Sequence, residues 1–153
     1  IVLQAFSKLP KINKLKLVIT GGRSEKNANY FDRVRQLTHS LKLDDRVVFT
    51  GFISRDDVLN LMHFSLCLIQ PSFFEGWNTA IEDCKSLGIN VIASNIDVHK
   101  EQLGDIGVFF NPKNSGDLLD KMLIAKKIEN IQSENLKARY RKFSKLFLDA
   151  ISK

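Results

Sequence analysis

Apolar residues along this chain recur at two spacings, and the chain switches between them repeatedly. Val2, Leu3, Phe6 and Leu9 sit at helical spacing, and Pro10 ends that segment. Leu15 to Thr20 reads as a strand, closed by Gly21-Gly22. Asn29 to Leu41 returns to the helical period, with Phe31, Val34, Leu37 and Leu41 as its inner stripe. Arg46 to Thr50 is a second strand, ended by Gly51, and Ser54 with Asp57 three residues on opens a helix facing Val58, Leu61 and Met62 inward. Phe64 to Gln70 is predicted as a strand, followed by a loop, a helix opening near Trp77 and closed by Gly88, and a strand from Asn90 to Ser94. A short helix over 97–103, a strand over 107–110 and a helix over 115–127 with Leu118, Leu119, Met122 and Leu123 inside complete the alternation. The last segment, Ser133 to Ile151, keeps Leu136, Tyr140, Phe143, Phe147 and Ile151 on one face.

Five strands alternating with helices predict an α/β fold, a doubly wound, Rossmann-like parallel sheet with helices on both faces. Ligands gather at the carboxyl ends of such strands. Here those ends are Gly21-Gly22, Gly51-Phe52, Phe73 to Asn78 and Asn95 to Asp97.

Composition narrows the picture. At 153 residues, 44% apolar and 26% charged, the chain is expected to form one domain with a real core. No apolar run approaches the ~20 residues of a membrane helix, and residues 1–10 lack the cleavage site of a secretory leader. The first residue is not methionine and already reads as mid-helix, so the sequence is expected to be a fragment of a longer protein. Cys67 and Cys84 fall on a strand and a helix face, as buried reduced thiols do. His39, His63 and His99 are scattered, and no ligand-spaced cluster predicts a metal. The net charge of +6 is concentrated at the end: residues 126–153 hold eight Lys/Arg against three Asp/Glu, a surplus of five. Residues 130–153 therefore read as a basic amphipathic helix, either a solvated face or one suited to an anionic membrane surface or a nucleic acid.

The segment Pro71 to Gly88 concentrates the chemistry. It places one carboxylate, Glu75, in a loop and two more, Glu82 and Asp83, on the helix that follows. At ~100° per residue, Ala80, Ile81, Cys84 and Leu87 share the core face. Glu82 then points away into solvent, and Asp83 sits at the edge of the core face. Asn78 and Thr79 fall in the first turn, where free N–H groups suit diphosphate oxygens. Carboxylates are acceptors only, which suits Glu75 and Asp83 to sugar hydroxyls. The same spacing also fits an ordinary helix start with acids favouring the macrodipole.

Glu75-Gly76-Trp77 through Gly88-Ile89-Asn90-Val91-Ile92 resembles, without a gap, the E-x7-E segment of retaining GT-B glycosyltransferases of group 1, family 4. Val18 to Gly22, Arg46 to Ile53, His99 to Gln102 and Gly107 to Pro112 resemble that family's flanking segments in order. The resemblance covers roughly residues 1 to 125. It implies a single donor-binding domain over 1–153, with the N-terminal acceptor domain and this domain's first strand absent. By position it implies Glu75 as the catalytic carboxylate on the donor hexose, with Gly76, Trp77, Asn78 and Thr79 on hexose and diphosphate. Asp83 falls on the ribose ligand, with Glu82 as its substitute if the register differs. Gly51, Phe52 and Ile53 border the base, and Gly21 and Gly22 shape the cleft floor. Asp83 is one methylene shorter than the family's glutamate, and Asn90 replaces a proline. Arg23 and Lys26 are the cations nearest the glycine turn, and the family's own phosphate-binding Arg and Lys fall before Ile1.

The implied function is transfer of a hexose from a UDP-, GDP- or ADP-sugar to a lipid-linked or saccharide acceptor, in polysaccharide or glycolipid biosynthesis. No metal is required, in keeping with the absence of an Asp-x-Asp pair. The implied setting is cytoplasmic and peripheral at the inner membrane face, with no nucleic acid as partner. The fragment alone is expected to be inactive. Two rivals stand beside this reading. One is an epimerase or phosphorylase of the same fold. The other is a non-enzymatic nucleotide- or nucleic-acid-binding α/β module.

Overall fold

The computed structural model describes residues 1–10 and 15–125; the predicted basic helix of 130–153 lies outside the described residues. The elements run α1 (Val2–Lys8), β1 (Leu17–Thr20), α2 (Ala28–Ser40), β2 (Val47–Gly51), α3 (Arg55–His63), β3 (Leu68–Gln70), α4 (Thr79–Leu87), β4 (Val91–Ser94), α5 (Asp97–Leu103), β5 (Val108–Phe110) and α6 (Ser115–Ala125). Short 3-10 turns precede α2 and follow α5. All strand pairings between these elements are parallel, as helix-mediated crossovers require.

The α/β class and the helices on both faces are as predicted, and β4 shows why. All four of its residues are buried. Val91 and Ala93 pack with Met62, Ile81 and Cys84 of α3 and α4, while Ile92 packs with Ala5, Phe110 and Leu118 on the other side. A period of two thus divides one apolar run between two helical layers.

The single five-stranded sheet is corrected. The described residues form two sheets, β1-β2 and β3-β4-β5, with no ladder between β1 and β3. Packing joins them instead. Leu119 and Met122 of α6 touch both the cluster under β1-β2 and the cluster under β3-β5, and α1 contributes Leu3 and Phe6 to the first and Ala5 to the second.

Three smaller corrections bear on the site. The strand predicted from Phe64 shortens to Leu68–Gln70, because the Phe64 N–H still donates to Asn60 O and prolongs α3. Phe64 is left 85% exposed, and Leu61 and Leu123 also face outward. The central helix begins at Thr79, not near Trp77, because Asn78 takes the capping position. Its end is as expected: Gly88 adopts φ 72°, a left-handed conformation that favours glycine.

Candidate functional site

The loop between β3 and α4 is organised around the Glu75 carboxylate. Its Oε1 accepts from Gln70 Nε2 at 2.5 Å and from the Ser72 hydroxyl, and its Oε2 accepts from Asn78 Nδ2 at 2.5 Å. Desolvation pushes the carboxyl pKa up. The hydrogen bonds from Ser72, Asn78 and Gln70, with a smaller effect from nearby His99, outweigh it and hold the group below its ordinary value. A carboxylate offers about four acceptor sites. With three filled, Glu75 is an ionised group fixed in place, with one site left on Oε2.

Asn78 locks this loop to α4. Its Oδ1 accepts from the Ile81 N–H at 3.0 Å, the capping bond of the helix. Its backbone is buried and paired with the side chain of Gln102: Asn78 N–H donates to Oε1 at 3.2 Å, and Nε2 donates to Asn78 O at 2.9 Å. The expectation that Asn78 offers its N–H outward is therefore corrected. The first-turn N–H groups without an intrahelical acceptor belong to Thr79 and Ala80. Thr79 is exposed at the helix mouth, where the dipole favours an anion.

Glu82 is corrected as well. It is not solvated but lies against α5, accepting from Gln102 Nε2 at 3.0 Å and pairing with Lys85 at 3.4 Å. Lys85 in turn donates to Gln102 O at 2.8 Å. These partners hold Glu82 in the α4–α5 contact.

Asp83 lies on a different side of α4. Its Oδ1 accepts from Arg55 Nη2 at 2.5 Å, and its Oδ2 is buried with no partner among the described residues. Arg55 opens α3, two residues after Ile53, so this ion pair ties the segment following β2 to the helix following β3.

The glycine-rich ends of β1 and β2 also meet. Gly21 N–H donates to Gly51 O at 3.0 Å, and Gly51 adopts φ 70°. The Phe52 ring lies over Gly22, so close that a Cβ there would fall 2.5 Å from the ring. Phe52, Phe73, Phe74 and Trp77 are all exposed, and Ile53 is half-buried. Arg23 is committed to Asp32, with two contacts of 3.0 Å.

Neither thiol suits a nucleophile's role. Burial pushes Cys67 up to about 11, and burial with the charge of Asp83 and a smaller contribution from Cys67 pushes Cys84 up to about 12. His99 is fully buried and bonds Ser94 O through Nδ1 at 3.0 Å; His39 and His63 are exposed.

The fold thus joins Glu75 to Asn78, Gly21 to Gly51 and Gly22 to Phe52, and it sends Glu82 and Asp83 to different partners. The sequence reading did not anticipate Gln70, Ser72, Gln102 or Arg55. Ser72 stands within the Pro-Ser pair ahead of the loop, a usable signal. Gln102 acts on Asn78 from 24 positions away, which no local pattern reveals.

The family model for glycosyl transferases group 1 matches residues 1–145. The chain is 30% identical over 119 residues to an O-antigen biosynthesis glycosyltransferase, WclY, of Escherichia coli, a match covering 78% of this chain and 32% of the relative. A crystal structure of a glycosyltransferase from Rickettsia africae superposes with TM-score 0.74 at 27% identity, over 83% of this chain and 33% of that one. Anabaena Alr3699/HepE in complex with UDP gives TM-score 0.75 at 20% identity, over 86% and 36%, a likeness of fold. The chain spans about a third of the length of each.

Proposed function

The chain belongs to the group 1 glycosyl transferases, and from that premise we propose that it is the donor-binding, C-terminal domain of a retaining GT-B hexosyltransferase of family 4. The observation that carries this reading is the fixed Glu75 carboxylate beside the α4 N-terminus. An acceptor group held by three internal donors meets a sugar hydroxyl with little reorganisation. Hexose hydroxyls take the free site of Glu75, and Gly76 and Trp77 line the sugar. The N–H groups of Thr79 and Ala80 receive the diphosphate, and Asp83 takes the ribose. Gly51, Phe52 and Ile53 border the base, and Gly21 and Gly22 form the floor. Asn78 serves this site by fixing Glu75 and capping α4, and Glu82 by bracing α5.

In the reaction the bond from the anomeric carbon to the diphosphate oxygen breaks. An acceptor oxygen bonds to that carbon, and its proton leaves with the diphosphate. The developing negative charge is met by helix N–H dipoles, without a required metal. The donor is a UDP-, GDP- or ADP-sugar, and the UDP held by the Anabaena protein supports the first of these. The O-antigen role in the name of the E. coli relative supports polysaccharide or glycolipid assembly on a lipid-linked or saccharide acceptor.

We place the acceptor site on a second, N-terminal domain and the protein at the cytoplasmic face of a membrane, touching anionic lipid. Among the described residues no helix is long and apolar enough to cross a membrane. The break between β1 and β3 fits the same reading, since one further strand from outside this sequence, placed between them, would join both sheets.

The test is a titration followed by protein NMR with UDP, GDP and ADP, then the matching sugar nucleotides. Saturable shifts at Gly51, at residues 75–79 and at Asp83 are expected from one base. The Glu75→Gln variant is expected to bind the nucleotide but to lose the added affinity from the sugar. Shifts elsewhere, or equal loss of nucleotide and sugar nucleotide in Glu75→Gln, would overturn the assignment.

A further inference from the structure

The surroundings of Asp83 restrict what it can hold. Its side chain is 16% exposed, Oδ2 is buried without a donor, and Oδ1 carries the 2.5 Å bond from Arg55 Nη2. A carboxylate oxygen accepts at two positions. Oδ2 is out of reach of a ligand and one position on Oδ1 is taken, so a single acceptor position remains. A carboxylate with both oxygens open grips a diol with two hydrogen bonds; this one has room for one.

We propose that Asp83 recognises one hydroxyl of the nucleoside ribose, not the 2′,3′-diol, and that Arg55 is the positioning residue that imposes this. The proposal rests on the donor-site reading above. Arg55 is 59% exposed and starts α3 immediately beyond the segment assigned to the base. Its guanidinium fixes the rotation of a carboxylate one methylene shorter than the family pattern, aiming the remaining position of Oδ1 in one direction. Asp83 has no other hydrogen-bond donor among the described residues, so Arg55 alone decides which position of Oδ1 stays open.

The experiment is calorimetric titration of the protein with UDP, GDP and ADP. The 2′-deoxy and 3′-deoxy forms of whichever diphosphate binds follow, on the natural sequence, Arg55→Ala and Arg55→Lys. In the natural sequence one deoxy form is expected to bind roughly tenfold more weakly than its parent, the loss of a hydrogen bond to a charged group. The other should stay within about twofold of the parent. Arg55→Ala is expected to bring the two deoxy forms together, because Oδ1 then offers both of its acceptor positions. Arg55→Lys, which retains a cation, should keep them apart. Equal weakening by both deoxy forms in the natural sequence, or an undiminished difference in Arg55→Ala, would overturn the proposal alone. No saturable binding by any of the three diphosphates would overturn the donor-site reading and the proposal with it.

Discussion

Glu75 and Asp83 are eight residues apart and carry the same functional group, yet the fold treats them in opposite ways. Glu75 is held by three neutral donors from its own loop and from the β3 strand, and its charge is stabilised by hydrogen bonding. Asp83 has one partner, a cation from another helix, and one oxygen left without a donor. A carboxylate wired locally keeps one geometry as long as its loop folds. A carboxylate held by a single long side chain has an orientation that can be altered without unfolding anything. The first arrangement suits a group beside a reacting sugar. The second suits a group that sets selectivity.

The comparison breaks most severely at Gln102, which touches neither carboxylate. Gln102→Leu leaves the buried Asn78 N–H without a partner, leaves Asn78 O with only the 3.4 Å bond from Glu82 N–H, and removes a donor to the buried side of Glu82. Unpaired buried groups cost about 1–3 kcal/mol each, so a loss of about 3 kcal/mol is expected in denaturant melts. Signals from the Glu75 loop should broaden, while the Arg55–Asp83 contact persists. Asn78→Ala comes next. It deletes the α4 cap and one of the three donors to Glu75, for about 2 kcal/mol. An unchanged melt in both variants would show that the wiring around Glu75 is not what stabilises the loop.

Much of this was readable in advance, and the failures have specific causes. The alternation of helix and strand, the Gly88 end of α4 and the apolar face of Ile81 and Cys84 follow from periodicity and from the glycine that closes the helix. Glu82 was misplaced because a helical wheel knows one helix. The surface that Glu82 meets belongs to α5, and its pairing with Lys85 and Gln102 exists only once the two helices pack. Phe64 was misread because an apolar run carries no mark of where a helix stops and a strand starts. The break between β1 and β3 was invisible for a related reason: strand order is a tertiary property, while strand existence is a local one. Arg55 was passed over because it is an ordinary exposed first-turn residue until Asp83 is brought beside it.

A smaller effect at Glu75 depends on pH. The folded pKa of Glu75 lies below its ordinary value of 4.5, so the unfolded chain takes up the proton first as pH falls. Its contribution to stability is complete well above pH 4.5 and is lost as pH falls through the lower folded value. Melting temperatures of the natural sequence and Glu75→Gln should differ most near neutral pH, and the gap should close as pH falls past the ordinary value of 4.5 and through the lower folded one. A gap that stays constant down to acid pH would mean the hydrogen bonds do not favour the ionised form.

The smallest effect is expected at Arg55. An exposed guanidinium paired with one carboxylate oxygen adds little to stability, because water can replace it at Oδ1. Arg55→Ala should move the melting temperature by about 2 °C or less, far less than Gln102→Leu. A larger fall would show that the pair clamps α3 to α4 and would make Asp83 a structural group in its own right. Near-silence in the melt, set beside a change in ribose selectivity, separates positioning from support. The same two measurements on Asn78→Ala should give the reverse pattern, since there the side chain that orients Glu75 also starts the helix.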